Sequence, residues 1–183
     1  FKTIDKLGNE LFSLNLATMF RNEENTDLPQ KSTLGRKSSN VVGEMLFKPK
    51  EFFDLKYSFS LDNDMQTLNY NLVDATFSVN NFVTSFEFLE KNNVIGDESY
   101  LSNKTTLNLN DNSSLAFNTR RNKQLGINEY YDLIYEYKND CLKAAVEYKK
   151  SYYEDGDLKP EEQIYFSLTV IPFGTVNTPG INK

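Results

Sequence analysis

The sequence has no histidine, no tryptophan and a single cysteine, Cys141, among its 183 residues. Without His, Ser-His-Asp and Cys-His catalysis is excluded and the commonest metal ligand is missing. One Cys cannot form a disulfide within the chain. No apolar run approaches the ~20 residues that a membrane-spanning helix needs. That excludes a helical membrane protein and leaves a barrel open. The chain also lacks a basic stripe, and its formal net charge is −6, which argues against nucleic acid as a partner. Initiator Met and signal-peptide features are missing, so a fragment of a longer protein is expected.

Aromatic residues are what the chain has in plenty, 11 Tyr and 14 Phe, although hydrophobic residues are only 39% of the total. They recur with period two, the mark of strands whose successive side chains point to opposite faces. Phe53, Leu55, Tyr57, Phe59 and Leu61 share one face, with Asp54, Lys56, Ser58 and Ser60 on the other. The same alternation runs through Phe12, Leu14, Leu16 and Phe20, then through Phe82, Thr84, Phe86 and Phe88. It continues in Leu101, Thr105, Leu107 and Leu109, and in Leu115, Phe117 and Thr119. Tyr131, Leu133, Tyr135 and Tyr137 follow, then Leu142, Ala144, Val146 and Tyr148, and last Ile164, Phe166, Leu168 and Val170. About ten strands are expected, many near the ~9–11 residues that cross a bilayer when tilted.

The connections predict the topology. Long polar links are expected at 21–40, 91–98, 122–128 and 154–162. Tight turns are expected at Lys48, Pro49 and Lys50, near Asn80 and Asn81, at Asp111 to Ser113, and at Asn139 and Asp140. The link near Asp62, Asn63 and Asp64 reads short where the alternation wants a long one. Short periplasmic turns alternating with longer outside loops are the habit of an up-and-down outer-membrane barrel. A β-sandwich has no reason to sort its loops this way. The expected fold is therefore all-β, an antiparallel up-and-down transmembrane β-barrel, with 21–40 and 154–162 outside and Asn139 and Asp140 in the periplasm.

Few residues suggest chemistry. The acidic loop around Glu154, Asp155 and Asp157 lacks EF-hand spacing and reads as solvated surface. Two sequon matches, beginning at Asn103 and Asn112, have no consequence in a bacterial barrel. Gly8, Gly35 and Gly43 are isolated and cradle no phosphate. No catalytic residue, metal site or cofactor is expected. Arg120 and Arg121 form the compact basic pair, a candidate contact for lipid head-group phosphates or a partner and otherwise a solvated strand end. Cys141 follows a tight turn; it reads either as a small buried residue or as half of a disulfide to a Cys outside this chain, which the periplasm permits.

The stretch 119–174 carries Thr119-Arg120-Arg121-Asn122, Glu129-Tyr130-Tyr131-Asp132-Leu133-Ile134-Tyr135-Glu136-Tyr137 and Asn139-Asp140-Cys141-Leu142. Val146-Glu147-Tyr148, Tyr152-Tyr153, Asp155-Gly156-Asp157-Leu158-Lys159-Pro160 and Ile171-Pro172-Phe173-Gly174 complete it. In this order and spacing it resembles the C-terminal end of the LPS-assembly protein family, LptD or organic solvent tolerance protein, in its alphaproteobacterial form. It implies that 1–174 is the C-terminal segment of a large outer-membrane barrel and 175–183 a tail, with the periplasmic jellyroll and earlier strands outside this chain. It implies a non-enzymatic role in a Gram-negative outer membrane, inserting lipopolysaccharide into the outer leaflet through a lateral gate. The implied partners are lipopolysaccharide, an LptE-like plug lipoprotein, an LptA-like periplasmic bridge, the barrel-insertion machinery and outer-membrane lipids. Ile164, Phe166, Leu168, Val170 and Pro172 would lie on the last strand, at the gate, and Cys141 would pair with a Cys of the missing part. The other readings are a porin or solute channel and a soluble all-β binding module, with an enzyme last.

Overall fold

In a computed structural model of the chain the described residues are 1–28, 33–92, 97–152, 160–171, 174–177 and 181–182. They form thirteen strands and one short 3-10 helix, Thr33–Gly35. The strands are β1 (Lys2–Ile4), β2 (Glu10–Ala17), β3 (Val41–Lys50), β4 (Phe53–Leu61), β5 (Leu68–Val79), β6 (Phe82–Lys91) and β7 (Glu98–Asn110). There follow β8 (Ser113–Asn122), β9 (Ile127–Lys138), β10 (Leu142–Ser151), β11 (Glu161–Val170), β12 (Gly174–Asn177) and β13 (Ile181–Asn182). Hydrogen-bonded order is chain order from β1 to β12, with β13 also beside β11, and the order does not return to β1. Among the described residues this is an up-and-down antiparallel sheet with no pairing back to β1.

The expected count of about ten strands is low by three short ones, β1, β12 and β13. Each is too brief to print a period-two pattern, and each exists because a longer neighbour offers it a free edge. The tight turn expected at Lys48 to Lys50 is displaced: β3 runs through Pro49 to Lys50, and the turn is made by Glu51 and Phe52. The pairing of β3 with β4 shifts between Phe47 and Lys50, and that irregularity accommodates a proline with no N–H to give the ladder. The short link at Asp62 spans residues 62–67, with Met65 at φ 59°. From β2 to β12 the connections alternate between short (51–52, 80–81, 111–112, 139–141, 171–173) and longer (18–40, 62–67, 92–97, 123–126, 152–160).

The chain divides into two compact units, 1–76 with 87–99, and 77–86 with 100–183. In the first, β2, β3 and β4 align Phe12, Phe47 and Leu55 in one cross-strand row, and Leu14, Met45 and Tyr57 in the next. The third row is Leu16, Gly43 and Phe59. Gly43 is where a side chain is not tolerated: a Cβ there would run into the Phe59 ring and come within 2.9 Å of Leu16 Cδ2. The ring lies across the glycine and stacks on Tyr57 at 5.4 Å, filling the gap that a strand glycine leaves.

In the second unit the rows cross five strands. Thr105, Phe117, Leu133, Tyr148 and Ile164 form one, and Leu107, Leu115, Tyr135, Val146 and Phe166 the next. On the opposite face Lys104, Asn118, Asp132, Lys149 and Gln163 line up in the same way. These rows are what strict antiparallel pairing makes of a period-two sequence.

Candidate functional site

In the second unit one apolar row is more exposed than the carboxylate on the opposite face. Phe117, Leu133, Tyr148 and Ile164 are each more than a third exposed, whereas Asp132 on the polar side is 9% exposed. Among the described residues Leu89 is the one hydrophobic side chain that is buried. Covering a large apolar side chain is worth ~1.5–3 kcal/mol, which these exposed residues leave unused.

One cluster on that face is polar and closes on itself. Asn103 Nδ2 donates to Thr84 Oγ1 at 3.0 Å, and also to the Ser85 carbonyl at 3.0 Å. Thr105 donates to Asn103 Oδ1 at 3.0 Å. The Thr84 and Thr105 hydroxyls are 2.8 Å apart, and because the Thr105 proton is already committed, Thr84 is the donor. The ring satisfies every polar group it contains.

An amphipathic belt borders the apolar face beside the longer connections. Tyr131 stacks on Phe117 at 6.0 Å and meets Tyr152 edge-on at 5.6 Å. Asn128 donates to the Tyr131 hydroxyl at 2.5 Å. Lys150 lies 5.3 Å from the Tyr152 ring and pairs with Glu162 at 2.5 Å. Rings with one polar end, next to paired charges, suit a boundary between apolar and wet surroundings.

The structure separates the two arginines. The pairing of β8 with β9 slips by one residue, so that Arg120 faces Tyr130 while Arg121 faces Asn128, and Glu129 is left over as a bulge. Arg120 stands on the polar face with its guanidinium 5.2 Å from the Tyr100 ring and 5.8 Å from Tyr130. It forms a charge-assisted hydrogen bond with Glu129, whose other oxygen accepts from Asn122 Nδ2 at 3.1 Å. Arg121 is exposed on the opposite face, in the row of Leu101. A two-residue motif therefore becomes a fixed internal clamp and one outward cation.

Cys141 is exposed in the 139–141 turn. Its N–H donates to Asn139 Oδ1 at 3.0 Å, as does that of Leu142 at 2.8 Å, so a side-chain oxygen holds the turn. Ile164, Phe166, Leu168 and Val170 alternate outward along β11 and are exposed. β12 pairs with 167–170 and β13 with Gln163 and Ile164, so two short strands follow β11 and cover parts of its edge. Pro172 lies outside the described residues, as does the acidic loop at 154–157. Among the described residues no group of three or more His, Cys, Asp or Glu is placed to hold a metal.

Sequence reading alone missed the Thr84–Asn103–Thr105 ring, the Glu129 bulge and the burial of Asp132. Parity put Thr84 and Thr105 on apolar faces, but only the register brings them together.

The chain matches the model of one family, LptD: LPS transport system D, over residues 2–120. A search of curated proteins gave no match. The family match falls on the strands that precede the stretch 119–174 and meets it only at Thr119 and Arg120.

Proposed function

Because the chain belongs to the LptD family, whose role is LPS transport at the outer membrane, we propose that it is the C-terminal part of that family's barrel in its alphaproteobacterial form. It inserts lipopolysaccharide into the outer leaflet through a lateral gate. The observation that carries this is the bare apolar face backed by a half-buried polar face, the order that lipid outside and an aqueous lumen inside require. The strict alternation of connection lengths supports it, with the short turns periplasmic and the longer loops outside. The self-satisfied ring on the apolar face supports it too, since lipid offers no hydrogen bonds.

In this reading β11 is one wall of the gate, with Ile164, Phe166, Leu168 and Val170 toward lipid and Pro172 at its end. Among the described residues its outer edge is met by β12 at 167–170 and by β13 at Gln163 and Ile164. Cys141, exposed in a short turn, forms a disulfide with a Cys outside this chain. Arg121 meets head-group phosphates next to the aromatic belt, while Arg120 holds the wall together from inside. An LptE-like plug lipoprotein, an LptA-like bridge and the barrel-insertion machinery are the partners.

The test is depletion of the full-length protein in its host while newly made surface LPS is measured. Loss of surface LPS with accumulation inside the cell is the expected result. Unchanged export with reduced uptake of small solutes would make the protein a porin instead.

A further inference from the structure

We infer that the segment 174–182 is a displaceable guard strand for the outer edge of β11, holding that edge until another strand of the full-length protein takes it; this rests on the barrel reading above and goes beyond it.

The inner edge of β11 pairs with β10 along its whole length, from Glu161 opposite Ser151 to Val170 opposite Leu142. The outer edge is met by the chain's own continuation. β12 sets Gly174 opposite Val170 and Asn177 opposite Ser167, and β13 sets Ile181 opposite Ile164 and Asn182 opposite Gln163. The segment matches that edge in kind. Val176 stands opposite Leu168, as Ile181 stands opposite Ile164. Thr175 stands opposite Thr169, with their hydroxyls 2.7 Å apart. Val176 and Ile181 differ in parity, so one unbroken register would set an apolar residue against a polar one. Between β12 and β13 the register shifts by one residue, and the shift keeps apolar opposite apolar in both.

The same segment is built to let go. All four residues of β12 are exposed, Val176 at 72%, so little side-chain burial holds it. Between β12 and β13 the sequence carries Pro179, which has no N–H to give a ladder. Short strands, a proline and a broken register are how an edge avoids permanent pairing. An edge offers one ladder, and one strand fills it. In the barrel reading an earlier strand of the full-length protein closes on β11, so that strand and 174–182 compete for the same N–H and C=O groups. The segment pairs first, because it is joined to β11 by residues 171–173 alone and a short loop closes at little entropic cost. A strand that pairs along the whole of β11 then displaces it.

The test uses the full-length protein in its host, with photo-reactive p-benzoylphenylalanine in place of Val176, whose exposure leaves room for the ring. Light given directly after a pulse of synthesis is expected to link position 176 to the peptide 161–170. Light given to the mature protein is expected to produce that link several-fold less often. No link at either time overturns the inference. Equal linking at both times overturns it too, since 174–177 is then a permanent strand. Thr169→Cys combined with Thr175→Cys repeats the first measurement without the bulky ring, because directly opposed residues lie within disulfide reach. Peptide mass spectrometry separates that bond from one to Cys141, and its absence from newly made protein overturns the pairing. The guard role is read in a variant with 174–182 deleted and p-benzoylphenylalanine in place of Thr169. Newly made protein is then expected to link to a second copy of the chain, as an open edge does; no such link removes the guard role. The transport reading fails separately: if depletion leaves surface LPS unchanged, that reading falls, while the links still decide where the segment sits.

Discussion

Thr84 Oγ1 and Thr105 Oγ1 lie 2.8 Å apart, and Asn103 closes them into a ring that runs from its amide to Thr84, to Thr105 and back to its own oxygen. Each member is useful only while the other two are present. Thr105→Val is expected to cost about 1–3 kcal/mol, because it strips the donor from Asn103 Oδ1 in a half-buried site. The triple change of Thr84→Val, Asn103→Leu and Thr105→Val is expected to recover most of that loss, since it removes donors and acceptors together. Heat-induced unfolding of the full-length protein in detergent or lipid reads both. A triple variant worse than the single would mean that the cluster binds something polar from outside.

Gly43 and Phe59 make a second dependent pair. Gly43→Ala pushes the ring off Tyr57, and about 1 kcal/mol of destabilisation is expected, the scale of one aromatic cross-strand pair. In a Phe59→Leu background the same change becomes neutral or stabilising, because glycine within a strand is itself disfavoured by ~0.5–1 kcal/mol. Thermal melts of the four proteins measure this change of sign directly.

Arg120 should not tolerate lysine. Its guanidinium is flat and stacks between Tyr100 and Tyr130 while reaching Glu129; an ammonium keeps the charge and loses the stacking. Arg120→Lys is expected to destabilise by about 1 kcal/mol, a figure held down because the side chain is 40% exposed and solvent screens its ion pair. Raising the salt concentration should leave most of the difference in place. A difference that disappears in high salt would reduce the clamp to a simple ion pair.

The β1–β2 turn carries a titrating staple. The Asp5 carboxylate accepts from the N–H groups of Leu7 and Asn9, both at 2.8 Å, and from Asn9 Nδ2 at 2.9 Å. The Asn9 side chain is the largest cause holding its pKa below the ordinary 3.8. A carboxylate with a depressed pKa contributes stability that is present above the ordinary value and lost as pH falls through the lowered one. Amide exchange at Leu7 and Asn9 should therefore stay protected at pH 5 and open below 3.8. Asp5→Asn should remove that pH dependence. Protection in the variant that still falls with acid would assign the effect to another group.

The alternation of faces, the sorting of connections and the family likeness could all be read from the order of residues. Each depends on local spacing, and a strand displays its spacing wherever it pairs. The position of the β3–β4 turn could not be read, because Pro49 looks like a turn residue and only the pairing of β3 with β4 keeps it in a strand. Arg120 and Arg121 are equivalent neighbours in the sequence. A one-residue slip against β9, which no local signal records, sends one to the polar face and the other outward. Asp132 reads as a solvated strand carboxylate, and it is buried only because Asn118 and Lys149 come to lie on either side of it. Periodicity along one strand decided which face each side chain takes. Register between strands, a property of pairs distant in sequence, decided which side chains meet.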